Sequence, residues 1–138
     1  MRSFVRTLAW LLLLSTAGSA WAASPVLSVI TPRGAQRGAE TELTFHGARL
    51  ADAQEIFFYE PGFEVVKLEA ADGAVKAVVK VAPDCRLGEH VAQVRTASGI
   101  SEYRSLFVGP YPAVAEVEPN SLFEQPQAIE LNATVEGI

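Results

Sequence analysis

Apolar and polar side chains alternate along several short stretches of this chain. The clearest alternation covers residues 74–81, where apolar residues at the odd-numbered positions point to one side and Lys76, Val78 and Lys80 point to the other. A period of two with one apolar side predicts a half-buried β-strand. Residues 40–46 follow the same pattern, so we predict a second strand of this kind there.

Three further segments are short, rich in β-branched or aromatic residues and bounded by turn residues: 25–30, 55–59 and 63–68. The first is predicted to be an edge strand, because Thr31-Pro32 ends it and proline is tolerated at strand ends and edges. Residues 55–59 carry apolar groups on both faces, which predicts a central strand with Ile56 and Phe58 in the core. Residues 33–38 supply two glycines for a chain reversal.

Residues 82–108 predict a closing hairpin. A turn opens at Pro83 and closes at Gly88, a strand runs through Thr96, residues 97–99 turn the chain, and a second strand returns. The residues expected to face the core from these two strands are His90, Ala92, Val94, Leu106 and Val108.

About seven short strands at roughly ten-residue spacing, with at most one helical turn in residues 50–55, predict an all-β immunoglobulin-like sandwich. We assign this domain to residues 24–109, which are enough to bury one core. Proline-rich residues after Gly109 mark a boundary. Residues 110–138 are predicted to be a linker and an incomplete β extension, whose strand segments at 113–117 and 128–138 lack the partners needed to bury them.

The first 23 residues have the layout of a secretory signal peptide. Arg2 and Arg6 form a basic head, residues 8–14 are apolar, and small residues precede Ser24. The apolar run is far shorter than the roughly 20 residues that a membrane-spanning helix needs. We therefore predict that residues 1–23 are cleaved and that the protein is exported to the periplasm or the exterior, with no transmembrane segment in the mature chain.

The charge balance excludes two classes of partner. The chain carries a net charge of −5, and loss of the leader would remove Arg2 and Arg6 but no acidic residue. Nucleic acids and anionic membrane surfaces both require a basic face. We therefore expect no nucleic acid partner, and a protein or cell-surface component in its place.

Cys85 is the only cysteine, so an intrachain disulfide is impossible even in an exported protein. A lone thiol can be reactive or can pair between chains. We predict instead that Cys85 is a small residue of the turn between Pro83 and Gly88, because no other cysteine or nearby histidine supplies an activating partner.

The remaining candidates for chemistry are sparse, and no catalytic, metal-binding or cofactor-binding residue is predicted. His46 is interpreted as a polar-face strand residue and His90 as a semi-buried packing residue, because no orienting partner can be named for either. Three His and Cys residues scattered along the chain do not make a zinc site. The only acidic group with calcium-like oxygens lacks an Asp-x-Asp loop and is interpreted as a solvated turn: Glu116, Glu118, Asn120 and Glu124.

Two further features of the sequence concern the protein surface. Asn132-Ala133-Thr134 fits the glycosylation acceptor pattern, and we expect no glycan there. Four aromatic residues are candidates for a sugar-stacking surface, although core packing is expected for at least two of them: Phe57, Tyr59, Phe63 and Tyr103.

Glycine and proline punctuation around the strands carries a resemblance to a known family. The positions concerned are Pro25, Thr31-Pro32, Gly34, Gly38, Gly47, Pro83-Asp84, Gly88, Val94, Gly99 and Val108. With them, residues 24–108 resemble the IPT/TIG type of immunoglobulin-like domain. The resemblance implies a β-sandwich and, since one fold hosts many functions, implies little about activity.

The tail carries a second resemblance. Residues 115–120, which include Glu118-Pro119-Asn120, together with residues 127–131 and 135–138, are similar to the opening of a bacterial pre-peptidase C-terminal domain. The later strands of that domain and its aspartate-rich aromatic segment are missing here. The pairing of the two domains resembles large exported proteins of planctomycete-type bacteria.

These observations predict a non-catalytic exported module that docks a protein partner or acts as a spacer in a cell-envelope or secreted assembly. The docking surface is expected at a sheet edge or at the loops of one end of the sandwich. One alternative is the N-terminal accessory fragment of a secreted, peptidase-type hydrolase. Another is a carbohydrate-binding module, which requires exposed coplanar aromatic rings.

Overall fold

The computed structural model describes residues 24–120 and 122–137 of the chain. The leader predicted at residues 1–23 lies outside the described residues. Within them the structure is all β and contains no helix. The strands in chain order are β1 (Val26–Thr31), β2 (Gly34–Gln36), β3 (Glu40–Ala48), β4 (Ala53–Phe58), β5 (Phe63–Ala71), β6 (Ala74–Val81), β7 (Gly88–Thr96), β8 (Gly99–Ile100), β9 (Arg104–Gly109), β10 (Ala113–Ala115) and β11 (Thr134–Glu136).

One sheet of the sandwich has four antiparallel strands in the order β1-β3-β6-β5. The predicted alternation of β3 and β6 is confirmed: Leu43 and Phe45 are fully buried, and the odd-numbered residues of β6 face the core. β1 lies at the edge of this sheet, as its terminal proline predicts.

The second sheet has the order β2-β9-β7-β4, with β8 paired to the end of β7. The segment predicted only as a chain reversal contains β2, which pairs in parallel with β9, Ala35 opposite Val108. Three residues are too few to show a periodicity, so this crossing of the chain between the two sheets left no pattern in the sequence. Without β2 the two sheets have the ABED and CFG strand order of a constant-type immunoglobulin sandwich, and β2 adds one edge strand beside β9.

The core lies between the two sheets and draws on both. The buried residues include Leu27, Ile30, Leu43, Phe45, Leu50, Ile56, Val75, Ala77, Val79, Ala92, Val94 and Leu106. A second, smaller cluster closes one end with Ala35, Val81, Cys85 and Val108. The inward residues predicted for the closing hairpin are all buried, His90 among them.

The prediction that residues 55–59 form a central strand is wrong. β4 is the outer strand of its sheet and pairs only with β7. Ile56 faces the core and Phe58 packs against it, as expected, but Phe57 and Tyr59 point to solvent on the other face. Apolar side chains on both faces concern what packs above and below a strand, and they do not indicate whether one or two strands pair beside it.

The strand that returns after the turn at residues 97–99 is interrupted. β8 pairs Ile100 with Arg95, whereas β9 pairs Arg104 with Ala92, so the register changes by one residue between them. At the break, the Ser101 hydroxyl accepts a hydrogen bond from the Val94 N–H at 3.0 Å and donates one to the Glu102 carbonyl at 2.8 Å. These bonds replace ladder bonds and let the chain bulge.

The C-terminal extension forms shorter strands than predicted. β10 and β11 pair with each other in parallel, Val114 opposite Val135, and make a separate two-stranded sheet. This sheet lies against β2: a Cβ on Gly34 would come within 3.8 Å of the Ala113 Cβ and within 2.7 Å of the Glu136 Oε1. Several apolar residues of the extension remain exposed, including Phe123 and Leu131.

Among the described residues no helix is long and apolar enough to cross a membrane.

Candidate interaction surface

The outer face of the five-stranded sheet carries a set of exposed aromatic side chains. They are Phe57 (46% exposed), Tyr59 (56%), Tyr103 (65%) and Phe107 (51%). We call this set the aromatic face. It exists because alternate residues of β4, β7 and β9 fill the core and leave the intervening residues pointing outward.

The strand register fixes the layout of the aromatic face. Phe57 lies opposite Gln93 of β7, Tyr59 bonds the Val91 carbonyl through its backbone N–H, and Phe107 lies opposite Glu89. Neighbouring strands are about 4.8 Å apart and successive residues about 3.4 Å apart, so Phe57 and Phe107, four residues apart along β7, flank the central strand at about 17 Å from each other.

Phe57 and Tyr59 hold each other in an edge-to-face arrangement. Their ring centroids lie 5.2 Å apart with the planes at 75°. The Tyr59 hydroxyl also donates a hydrogen bond to the Gln93 Oε1 at 2.6 Å. Of the four sequence-predicted aromatic candidates only Phe63 packs in the core, where it stacks on Phe58 at 4.3 Å; the expectation that at least two are core residues is wrong.

The charges beside the aromatic face are internally compensated. Arg95 Nε donates to Glu55 Oε2 at 2.8 Å, and Arg95 Nη1 donates to Gln54 Oε1 at 2.7 Å. An exposed apolar patch bordered by paired charges is the usual composition of a protein interaction surface.

The edge of the four-stranded sheet at β1 is closed by side chains that follow β8. Glu102 Oε2 accepts a hydrogen bond from the Leu27 N–H at 3.2 Å, and Arg104 Nε donates to the Ser28 carbonyl at 2.7 Å. Both backbone groups would otherwise be free to pair with another strand.

The edges at β2 and β5 are blocked in other ways. β10 and β11 lie against β2. β5 contains a register irregularity between Val65 and Lys67 and carries the exposed ion pair Lys67–Glu69 at 2.6 Å. Bulges and charged side chains are common means of preventing edge-to-edge pairing.

β4 has a register irregularity only at its start, between Ala53 and Glu55, and residues 55–58 pair regularly with β7 and leave their other edge uncovered. Its single carboxylate, Glu55, is neutralised by Arg95. A cleft of about 680 Å³ opens beside it, where β4 and β5 belong to different sheets, and Ile56, Phe58 and Leu68 contribute to its apolar walls. β4 is therefore the exposed sheet edge of the sandwich within the part of the chain that the structure describes.

The structure brings the two residues with potential nucleophilic chemistry together. Cys85 Sγ lies 4.0 Å from His90 Nε2, and both residues are buried, at 3% and 1% exposure. The sequence did not indicate this contact, which arises because the turn that precedes β7 places Cys85 beside His90. The predictions of a turn position for Cys85 and of a packing role for His90 agree with this geometry.

His90 also has partners that the sequence did not indicate. Its Nε2 lies 2.7 Å from the Arg86 carbonyl, and its Nδ1 lies 3.2 Å from Glu60 Oε2. The second contact does not have hydrogen-bond geometry. Arg86 binds Glu60 through two hydrogen bonds of 2.9 and 2.8 Å.

These contacts leave the thiol unactivated. A carbonyl only accepts, so His90 Nε2 carries a proton and donates it to Arg86, and no lone pair is left there to deprotonate Cys85. Burial raises the pKa of the Cys85 thiol, and the carboxylates of Glu60 and Asp84 raise it further. The thiol therefore stays protonated near neutral pH.

Glu60 and Arg86 are the residues that sequence reasoning missed. The only available signal was their position: Glu60 precedes the Pro61-Gly62 turn, and Arg86 lies within the turn from Pro83 to Gly88. Opposite charges in two turns bond when the fold brings both turns to the same end of the sandwich. The Arg86 guanidinium lowers the pKa of Glu60, chiefly through its hydrogen bonds.

The other candidates do not form sites. His46 Nε2 lies 2.7 Å from the Thr31 hydroxyl on the neighbouring strand. Asn120 turns its amide nitrogen, which cannot bind a cation, toward Glu116 Oε1 at 2.6 Å. No group of three or more His, Cys, Asp or Glu side chains that could hold a metal ion occurs among residues 24–120 and 122–137. Asn132 of the glycosylation pattern is exposed, with a backbone φ of 63°.

No model of a known protein family matches the chain, and no curated protein matches it either.

Proposed function

We propose that this chain is a non-catalytic, exported protein-docking module of the IPT/TIG type, and that the aromatic face is its docking surface. The observation that carries the proposal is the exposure of four aromatic residues on or directly beside β4 and β9, next to a compensated ion pair. Exposed Phe and Tyr side chains cost solvation free energy that a binding partner recovers, and such residues are enriched at the centres of protein interfaces.

Two further features support a docking role over a catalytic one. The pKa of the buried thiol is raised, and the His90 Nε2 that faces it donates its proton to the Arg86 carbonyl, so no base is placed to activate Cys85. The sheet order provides a rigid platform, because β7 holds β4 on one side and β9 on the other. Binding side chains on rigid strands lose little conformational freedom when a partner docks.

A sugar-binding role has weaker support. Stacking on a sugar ring is most effective where exposed aromatic rings lie in one plane, and the planes of Phe57 and Tyr59 stand at 75°. The Tyr59 hydroxyl is also engaged by Gln93. A glycan array that shows saturable binding lost on Phe57→Ala would favour this alternative instead.

The docking proposal is tested by affinity capture with the immobilised full chain. Exported proteins of the source organism are passed over the chain and over the double variant Tyr103→Ser, Phe107→Ser. We expect the wild-type chain to retain a discrete protein and the double variant to lose most of it, since hot-spot aromatics each contribute on the order of 2 kcal/mol.

The matched control is Val66→Ser, which removes an exposed apolar residue on β5, outside the aromatic face. It should leave capture unchanged. Equal capture by the double variant and the wild-type chain would show that the aromatic face is not the docking surface.

A further inference from the structure

We propose that two copies of this chain pair through β4, antiparallel and across a two-fold axis at Phe57, so that their five-stranded sheets join into one. The proposal is independent of the docking function. It follows from the backbone and side-chain pattern of the exposed edge.

The backbone direction of β4 is set by its pairing with β7. The Tyr59 N–H donates to the Val91 carbonyl at 3.2 Å. In an antiparallel ladder every second residue directs its N–H and C=O to the same neighbour. Phe57 therefore also faces β7, whereas the backbone N–H and C=O groups of Ile56 and Phe58 point to the open edge.

A second copy of β4 fits these free groups. With the two-fold axis at Phe57, Ile56 of each copy lies opposite Phe58 of the other. Such a pair exchanges two hydrogen bonds when both residues face the shared edge, and here both do. An axis at Phe57 thus places every free backbone group of Ile56 and Phe58 opposite a complementary one.

The side chains agree with this register. Phe57 of one copy meets Phe57 of the other as a close cross-strand pair on the aromatic face, and Glu55 lies opposite Tyr59. No like charges face each other, and Glu55 is already neutralised by Arg95. A chain with a net charge of −5 can therefore self-associate at this edge without bringing unpaired carboxylates together.

The other edges exclude competing pairings. β1 is closed by Glu102 and Arg104, β2 by the extension, and β5 by its irregular register and its charged side chains. The two-fold dimer uses the β4 edge of both copies, so among the sandwich edges of residues 24–109 none is left open and assembly through them stops at two copies.

Sedimentation equilibrium of the purified full chain over a concentration series tests the proposal. We expect a monomer–dimer equilibrium for the wild-type chain. Phe57→Lys places two lysines opposite each other at the axis, so the dimer dissociation constant should rise on the order of 100-fold. Phe57→Glu should have the same effect.

Mixing the two variants tests the register itself. A tagged Phe57→Lys chain should capture untagged Phe57→Glu chain but not untagged Phe57→Lys chain, because only the mixed pair places opposite charges at the axis. Recovery of the dimer in the mixture also shows that both variants are folded, so loss of the dimer in each alone is not a folding defect.

The matched control is Phe107→Lys, which makes the same substitution at similar exposure on β9 of the same face. It should leave the dimer intact while weakening partner capture, which separates this inference from the docking function. A wild-type chain that is monomeric throughout the series, a mixture that does not pair, or dissociation by Phe107→Lys would each overturn the proposal.

Discussion

The backbone N–H of Leu27 and the carboxylate of Glu102, 75 residues apart in sequence, are joined by a 3.2 Å hydrogen bond. This contact closes the edge of β1 and ties the first strand of the sandwich to the segment between β8 and β9. It gives the edge strand a partner that another protein chain would otherwise provide.

Glu102→Gln should reduce stability near neutral pH and have little effect in acid. Hydrogen bonds from its own N–H and from the Leu27 N–H lower the pKa of Glu102 in the folded state. A lowered carboxyl pKa stabilises the fold above the unfolded value, about 4.3, and this contribution is lost as the pH falls through the folded value. Urea denaturation of both chains at several pH values measures the difference.

The control for this effect is Glu64→Gln on the exposed strand β5. This variant should differ much less from wild type in its free energy of unfolding at neutral pH. A stability difference for Glu102→Gln that persists unchanged at acidic pH would show that the carboxylate charge is not responsible.

Gly47→Ala should be severely destabilising, whereas Gly73→Ala should be nearly neutral. A Cβ at Gly47 would lie 1.8 Å from the Val26 carbonyl oxygen, whereas a Cβ at Gly73 meets nothing within 4 Å. The two residues are joined by a 2.9 Å backbone hydrogen bond, so they sample the same part of the fold. Calorimetry should show a loss of at least about 3 kcal/mol for the first and within about 0.5 kcal/mol for the second. Equal losses of stability for the two variants would contradict the close approach of β1 to Gly47.

His90→Ala should destabilise the domain by about 3 kcal/mol, because it leaves a cavity and removes the hydrogen bond to the Arg86 carbonyl. His46→Ala, which removes a hydrogen bond to Thr31 at the surface, should cost about 1 kcal/mol or less. Chemical denaturation of both variants provides the comparison. A smaller loss at His90 than at His46 would contradict its place in the core.

Cys85 should resist thiol reagents in the folded protein. Its side chain is buried and its pKa is raised, first by burial and then by Glu60 and Asp84, so both access and the thiolate fraction are small. Reaction with an aromatic disulfide reagent should be slow in buffer and complete in denaturant, followed by absorbance. Rapid reaction without denaturant would mean that the turn before β7 opens readily.

The strands that could be predicted from the sequence are those long enough to show a clear alternation of apolar and polar residues. The apolar odd-numbered residues of β6 all face the core, and the inward residues of β7 and β9 follow from the same period. β2 was missed because three residues are too few to show a periodicity. The central position predicted for β4 was wrong because apolar residues on both faces do not indicate how many strands pair beside it. Cys85 and His90 are in contact because of the conformation of the turn before β7. Their separation of five residues in the sequence does not determine that conformation.

The parallel pairing of β2 with β9 gives the sandwich mechanical strength along one direction. Once β1 has separated from β3, a pull on the chain before β2 and after Gly109 draws β2 and β9 past each other, because parallel neighbours are then dragged in opposite directions along their length. The bonds from Phe107 to Arg33 and from Arg37 to Gly109 then bear the force together rather than in sequence. A spacer built from this domain would extend under tension at its linkers before its sheets separate.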